Sequence, residues 1–443
     1  MKLLNRLSPK RFSREEKVRF CINLGIGLAI AIVLQFFEHT DLGETAINKA
    51  FDYVIAREAA ESARSAASTT SIPATKIARQ ILFIDLGKVY QQRENPILTP
   101  RDELARIIGI ACRKKAKVIV LDILLEGEDC CHPEHDRQLR NVLQEMIAQK
   151  VPTRILFPVR IGSDGRMKRS FFDELLANTP HFYPVIPFIS ATASDRVVRY
   201  WVPFERVKGH PKYPLLWNAS LLAALASEEK EKDLQIIQQE IRDQKGSRPY
   251  FIRLGNQREI EISSEREDLY RNRIRFLLIP PNLLKKYPGG NLFERVSDID
   301  EVEFTDFNDK IVIIGNANPE AGDIHLTPVG HMPGMYIIGN ALNTILLGLQ
   351  PSHPSVILNM VIELVVIIVS AYVLSRFPPL LIRIAKGVLL IAVLSAISYY
   401  YFLRTGVLLN FTFAVMAMGL HDTALTIEKT WVQRKKTVKE GKR

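Results

Sequence analysis

Cysteine is scarce, and four residues in 443 exclude a scaffold built on disulfides. The signatures of common enzyme classes are also missing. There is no Gly-x-x-x-x-Gly-Lys phosphate loop, no Gly-x-Ser-x-Gly elbow and no His-Glu-x-x-His helix, so nothing points to P-loop, α/β-hydrolase or zincin chemistry. His210, His325 and His331 stand alone in the sequence and read as surface or packing residues rather than bases. No fixed-period repeat is present, and no cofactor is implied.

Net charge is missing from the middle of the chain. Lys and Arg number 59 against 48 Asp and Glu, a balance of +11, but three short segments carry it: +5 in residues 1–19, +3 in 375–386 and +4 in 422–443. Residues 38–350 are left at about −1, which argues against a nucleic-acid partner. Basic residues instead flank apolar runs, as in membrane proteins.

Phe20 to Phe37 is an uncharged run of eighteen residues, and Ser355 to Leu374 a run of twenty broken only by Glu363. At 1.5 Å per residue, each covers roughly 30 Å of hydrocarbon. Two more, 387–403 and 407–424, are separated by Arg404-Thr405-Gly406 and read as a helical hairpin. The first run has a basic flank but is followed by Gln35-Phe36-Phe37-Glu38-His39, with no small-residue cleavage site, so a retained anchor is expected. The basic segments, including an Arg376/Arg383/Lys386 loop, are expected in the cytoplasm and residues 38–350 outside the inner membrane. Glu363, with Asn359 one turn earlier, is a candidate for coupling within the spans, and Asn23 and Asn410 could partner it. The basic tail Glu428–Arg443, holding Trp431, suits anionic lipid or a cytoplasmic partner, though topology alone accounts for its charge.

The outer part alternates strand and helix patterns. Strands are expected at Arg79–Asp85, Lys117–Asp122, Arg154–Val159, Phe182–Ile186, Ile274–Ile279 and Lys310–Ile314, with helices at Pro100–Lys114 and Gly334–Leu347. The first two strands and their helix form a βαβ unit, so the fold class is α/β with a mainly parallel sheet. Glu44–Gln80 reads as a helix followed by a Ser-Thr-Thr-Ser linker ending at Pro73, and Glu228–Lys245 as a charged helix with little apolar face.

Ligands of open α/β sheets gather at the carboxyl ends of strands. Asp85, Asp122, Gly315 and Asp323 are therefore candidate ligand-binding residues, the bland alternative being that Asp85 and Asp122 cap the following turns. The stretch from Glu126 to Asp136 holds carboxylates, Cys130, Cys131, His132 and His135. It lacks the second Cys/His pair of a structural zinc site and reads as a solvated loop in preference to a metal site. Cys112 could pair with Cys130 or Cys131, or all could be free thiols.

The order Ile81-Leu-Phe-Ile-Asp85, Pro100-Arg101, Ala116-Lys-Val-Ile-Val-Leu-Asp122, Lys310-Ile-Val-Ile-Ile-Gly315, Gly322-Asp323, Thr327-Pro328, Met332-Pro333-Gly334 and Asn340 resembles the CHASE sensory domain of the second type. The resemblance covers roughly residues 40–350, with one span before and three after. It implies an extracytoplasmic sensory module, adds Arg101, Thr327 and Asn340 to the candidate ligand-binding residues, and gives Asp136 a helix-capping role. Only 23 residues follow Leu420, so the expected partner is a separate cytoplasmic signalling protein acting in trans, with a homodimer a further possibility. The alternatives are an extracytoplasmic enzyme using the strand-end aspartates, or a structural subunit of a membrane complex.

Overall fold

The computed structural model describes residues 40–67, 78–92, 99–129, 131–168, 170–171, 173–187, 189–192, 194–210, 212–243, 250–254, 258–262, 272–287, 293–351, 356–376 and 380–409, with parts of 17–29. The chain divides into two units, residues 52–351 and residues 1–51 with 352–443.

In the larger unit the strands are β1 Ile81–Asp85, β2 Val118–Leu121, β3 Arg154–Pro158, β4 Phe182–Ile186, β5 Ile189–Ala191, β6 Val198–Trp201, β7 Phe204–Arg206, β8 Leu215–Asn218, β9 Tyr250–Leu254, β10 Arg258–Ile262, β11 Glu294–Val296, β12 Ile311–Gly315, β13 Ile324–Thr327 and β14 Gly330–Pro333. The helices are α1 Asp41–Ala67, which crosses the unit boundary, then α2 Gly87–Gln91, α3 Arg101–Arg113, α4 Pro133–Ala148, α5 Asp173–Asn178, α6 Ala219–Ser227, α7 Glu231–Asp243 and α8 Gly334–Leu347.

Eight strands form one sheet in the order β11-β1-β12-β2-β3-β4-β8-β7, and every pairing but β7–β8 is parallel. The unbroken apolar character of β2 and β12 requires cover on both faces. On one face Leu82, Ile84, Ile119, Leu121, Val312 and Ile314 pack against α3 and α4, whose Leu104, Ile107, Ile108, Leu139 and Leu143 recur at helical spacing. On the other face Phe83 meets Tyr336 of α8, ring centroids 5.0 Å apart. Helix α8 is buried from Gly334 to Leu346 and stops at Gly348, whose φ of 60° suits the left-handed end of a helix. The expected βαβ unit is present, but β1 and β2 are not neighbours: β12 lies between them, pairing Asp85 with Gly315 and Leu121 with Ile314.

Two local expectations fail. Ile274–Ile279 is not a sheet strand, because its backbone is taken by helix α8: Arg275 N donates to Thr344 Oγ1 and Leu278 N to Asn340 Oδ1. The charged helix has an apolar side after all, since α7 buries Leu234 and Ile237. The linker at 68–77 lies outside the described residues.

The smaller unit contains α9 Val356–Arg376 and α10 Leu380–Thr405. Helix α9 coincides with the apolar run at 355–374. Helix α10 takes in Arg383 and Lys386, which were expected in a loop, because Leu380–Ile384 continues the helix up to the following apolar run. At its end Gly406 (φ 75°) turns the chain back, and Ser398 Oγ donates to Leu409 O at 2.6 Å. The side chains of Asn359 and Glu363, residues Asn23 and Asn410, most of the run at 407–424 and the basic tail lie outside the described residues. Among the described residues, no helix is long and apolar enough to cross a membrane.

Candidate functional site

The insertion of β12 between β1 and β2 brings three strand ends together at Asp85, Gly315 and Asp122. Parallel alignment fixes them further, with Leu86 N donating to Gly315 O and Asp122 N to Ile314 O, each at 2.8 Å. Gly315 leaves no room for a side chain, since a Cβ there would lie 2.9 Å from Met335 Cβ and 3.2 Å from Asp122 Cβ. A Cβ at Gly334 would collide with the carboxylate of Asp323. Both glycines therefore admit close packing around the acids.

The acids have different roles. Asp85 Oδ1 accepts from Gly87 N at 2.9 Å and Ala317 N at 3.0 Å, so it closes its own turn and ties β1 to the loop after β12. Asp122 is only partly exposed as a residue, and its Oδ2 is buried without a hydrogen-bond partner among the described residues. Burial, with the nearby Asp323 charge adding to it, pushes the Asp122 carboxyl well above the usual carboxylate range. Asp323 Oδ1 lies 2.8 Å from His325 Nε2, both side chains being partly exposed. A carboxyl that resists ionisation, a second acid and an imidazole thus meet at the carboxyl edge. Such a group can donate to, accept from or exchange a proton with a polar ligand, and could receive a cation.

The remaining candidates support the fold. Arg101 is buried; its guanidinium pairs with Asp136, donates to Gly127 O at 2.9 Å and lies 5.1 Å from the Phe171 ring centre. Asp136 also accepts from Asp129 N at 2.6 Å, so it fastens the β2–α4 loop and does not cap its own helix. Thr327 Oγ1 donates to Gly330 O within the β13–β14 hairpin. Asn340 is fully buried, clamping both backbone groups of Leu278 and donating to Tyr336 O. His325 was not anticipated as part of the cluster; the signal was its alternate position to Asp323 on one strand edge, where i and i+2 share a face. Cys112 is a buried free thiol, so its disulfide with Cys131 is not formed; Cys131 is exposed, and Cys130 lies outside the described residues.

Two depressions lie elsewhere. One of about 290 Å³ is lined by Met146, Ile147, Val151, Thr179 and Phe182 at the opposite edge of the sheet, and one of about 380 Å³ by the turn from Arg160 to Lys168. Neither brings together titratable groups of the kind found at the strand ends.

No curated protein and no solved structure significantly matches the chain. The family model described as CHASE2 domain matches residues 26–375, taking in the whole sheet, both helical layers and the strand-end acids. CHASE2 domains are extracytoplasmic sensory domains, not catalytic ones. With most of its length matched, the chain belongs to the CHASE2 family.

Proposed function

We propose that the protein is a membrane-anchored extracytoplasmic sensor that binds a polar ligand at Asp122, Asp323 and His325 and passes the change through its helices to a separate cytoplasmic protein. The family match carries this reading. The unsatisfied Oδ2 of Asp122 supports the choice of site, because a buried polar atom without a partner is costly unless something completes it.

The inner membrane, with four spans and both termini cytoplasmic, is the setting of this proposal. Its supports are the four apolar runs, their basic flanks and the side chains of α9, where Met360, Val361, Leu364, Val365, Ile368 and Val369 are all exposed. A face this apolar is poorly suited to water and well suited to lipid. Glu363 and Asn359 belong to the same helix and remain our candidates for coupling.

Crosslinking in native membranes, followed by affinity purification with and without residues 422–443, tests the proposal. Recovery of a cyclase, kinase or transcription regulator that is lost on truncation is the expected result. Recovery of envelope proteins alone, indifferent to the tail, would refute signalling in trans.

A further inference from the structure

The loop leaving β2 collects metal-binding side chains outside the strand-end site. His132 precedes the first turn of α4, and Glu134 and His135 lie in that turn. One ligand atom from each falls within 4.8 Å of the others. His132 Nδ1 is 3.4 Å and His135 Nε2 is 3.9 Å from the same Glu134 oxygen, Oε1. The two imidazoles lie side by side, ring centres 4.9 Å apart and planes 22° from parallel. Ligand atoms about 2.1 Å from a tetrahedral zinc ion are roughly 3.4 Å from one another, so small side-chain rotations would close this set around a cation.

A second observation comes from the other ring nitrogen. His135 Nδ1 is buried and has no hydrogen-bond partner among the described residues, and Asp102 Oδ1 of α3 stands 3.8 Å away. Metal-ligating histidines commonly give their second N–H to a carboxylate, which fixes the tautomer and orients the ring. Asp102 is placed for that role once Nε2 is drawn towards a cation. The loop is also held in place: Asp129 Oδ1 accepts from Cys131 N at 2.9 Å and from His132 N at 3.1 Å, and Asp136 holds Asp129.

We propose that His132, Glu134 and His135 form a binding site for a transition-metal ion of the zinc class, with Asp102 as the residue positioning His135. Two imidazoles select this class over magnesium or calcium, which prefer all-oxygen sites. The positive end of α4 disfavours a cation, an effect that the Glu134 and Asp102 carboxylates oppose. The Glu134 carboxylate also argues against an anion at the same place. Three protein ligands leave a fourth position for water or an exchangeable donor. The site is separate from Asp122 and Asp323, and its test does not depend on signalling.

The experiment is titration of the full-length protein in detergent or nanodiscs with ZnCl2 against a chromophoric chelator, and with CoCl2 followed by visible absorption. We expect one ion per chain, affinity at least about tenfold weaker in His132→Ala, Glu134→Gln and His135→Ala, and about tenfold weaker in Asp102→Asn. His181→Ala, at the far edge of the sheet, should leave affinity unchanged. Glu134 is half-exposed, so Glu134→Gln remains informative if His135→Ala impairs folding. Melting curves in EDTA establish that each variant is folded. Absence of saturable binding, or binding unchanged in the His132→Ala/His135→Ala double variant, would overturn the proposal. A cobalt–thiolate charge-transfer band removed by Cys131→Ser, with affinity unaffected by Glu134→Gln, would also overturn it.

Discussion

The ion pair between Glu58 of α1 and Arg275 allows a direct prediction. Each side chain is 1% exposed, and the guanidinium meets the carboxylate through Nε to Oε2 at 2.6 Å and Nη2 to Oε1 at 2.5 Å. Arg275 sits in the extended segment that clasps α8, and its own backbone N donates to Thr344. Glu58→Gln preserves size and one acceptor but leaves a buried guanidinium without its counter-charge. Breaking a buried pair in this way costs about 3–5 kcal/mol, whereas replacing both partners with apolar residues of similar volume is close to neutral. For a domain of this size, the cost corresponds to a drop in melting midpoint on the order of 10 °C. Differential scanning fluorimetry of the full-length protein should therefore show a large loss in Glu58→Gln and in Arg275→Met. Glu58→Leu combined with Arg275→Met should recover most of it. A shift of only about 2 °C in Glu58→Gln, or a double variant no better than the singles, would refute the reasoning.

Three more outcomes follow from the same structure. Burial raises the Asp122 carboxyl of the folded protein above its unfolded value near pH 4, so its contribution to stability is full below that pH and declines as pH rises towards the folded value; Asp122→Asn should gain on wild type by up to about 1.4 kcal/mol per pH unit above pH 4, and parallel pH profiles from chemical unfolding would contradict this. Gly339→Ala places a Cβ against the Phe83 ring and should cost about 1–3 kcal/mol by overpacking, with recovery in Phe83→Leu; an unchanged melting curve would show that the ring moves freely. A membrane-impermeant maleimide applied to intact cells should label exposed Cys131, and the label should be lost in a Cys130→Ser/Cys131→Ser variant, while Cys112, whose thiol burial pushes up to about 12, should react only after denaturation; no labelling of intact cells would place the domain on the other side of the membrane.

Much of the central sheet was legible because apolar runs such as Val118–Leu121 and Ile311–Gly315 have one stable solution, burial on both faces between helices. The place of β12 between β1 and β2 was not legible, since the pairings join segments about 190 to 230 residues apart and leave no local mark. Ile274–Ile279 shows the limit of pattern reading. Its apolar residues are buried as a strand's would be, but Asn340 and Thr344 side chains satisfy the backbone that a neighbouring strand would otherwise have paired. The buried cations were visible only as anomalies, Arg199 beside Tyr200-Trp201 and Arg275 between Ile274 and Phe276. Their partners on α1, Asp52 at 2.6–2.9 Å and Glu58, lie more than a hundred residues away.

The candidate site shows why one sequence pattern can carry two roles. Asp85 and Asp122 both end an apolar strand at the same edge of the sheet, and nothing in their immediate sequence ranks one above the other. The difference lies in the chain that follows. After Asp85 the backbone turns within two residues, and Gly87 N and Ala317 N converge on one carboxylate oxygen, which consumes the acid as a structural tie. Asp122, whose Cβ packs close to Gly315, has its Oδ2 buried with no hydrogen-bond partner among the described residues, and Asp323 adds a like charge instead of a counter-charge. A carboxyl in that position is costly to ionise and incomplete while neutral, so a change in its protonation or an incoming polar group alters the balance at the seam between β2, β12 and the start of α8. At that seam the sheet, the β13–β14 hairpin and the start of α8 meet. A small change there therefore acts on the hairpin and α8 together, which Asp85, already engaged by Gly87 N and Ala317 N, could not do.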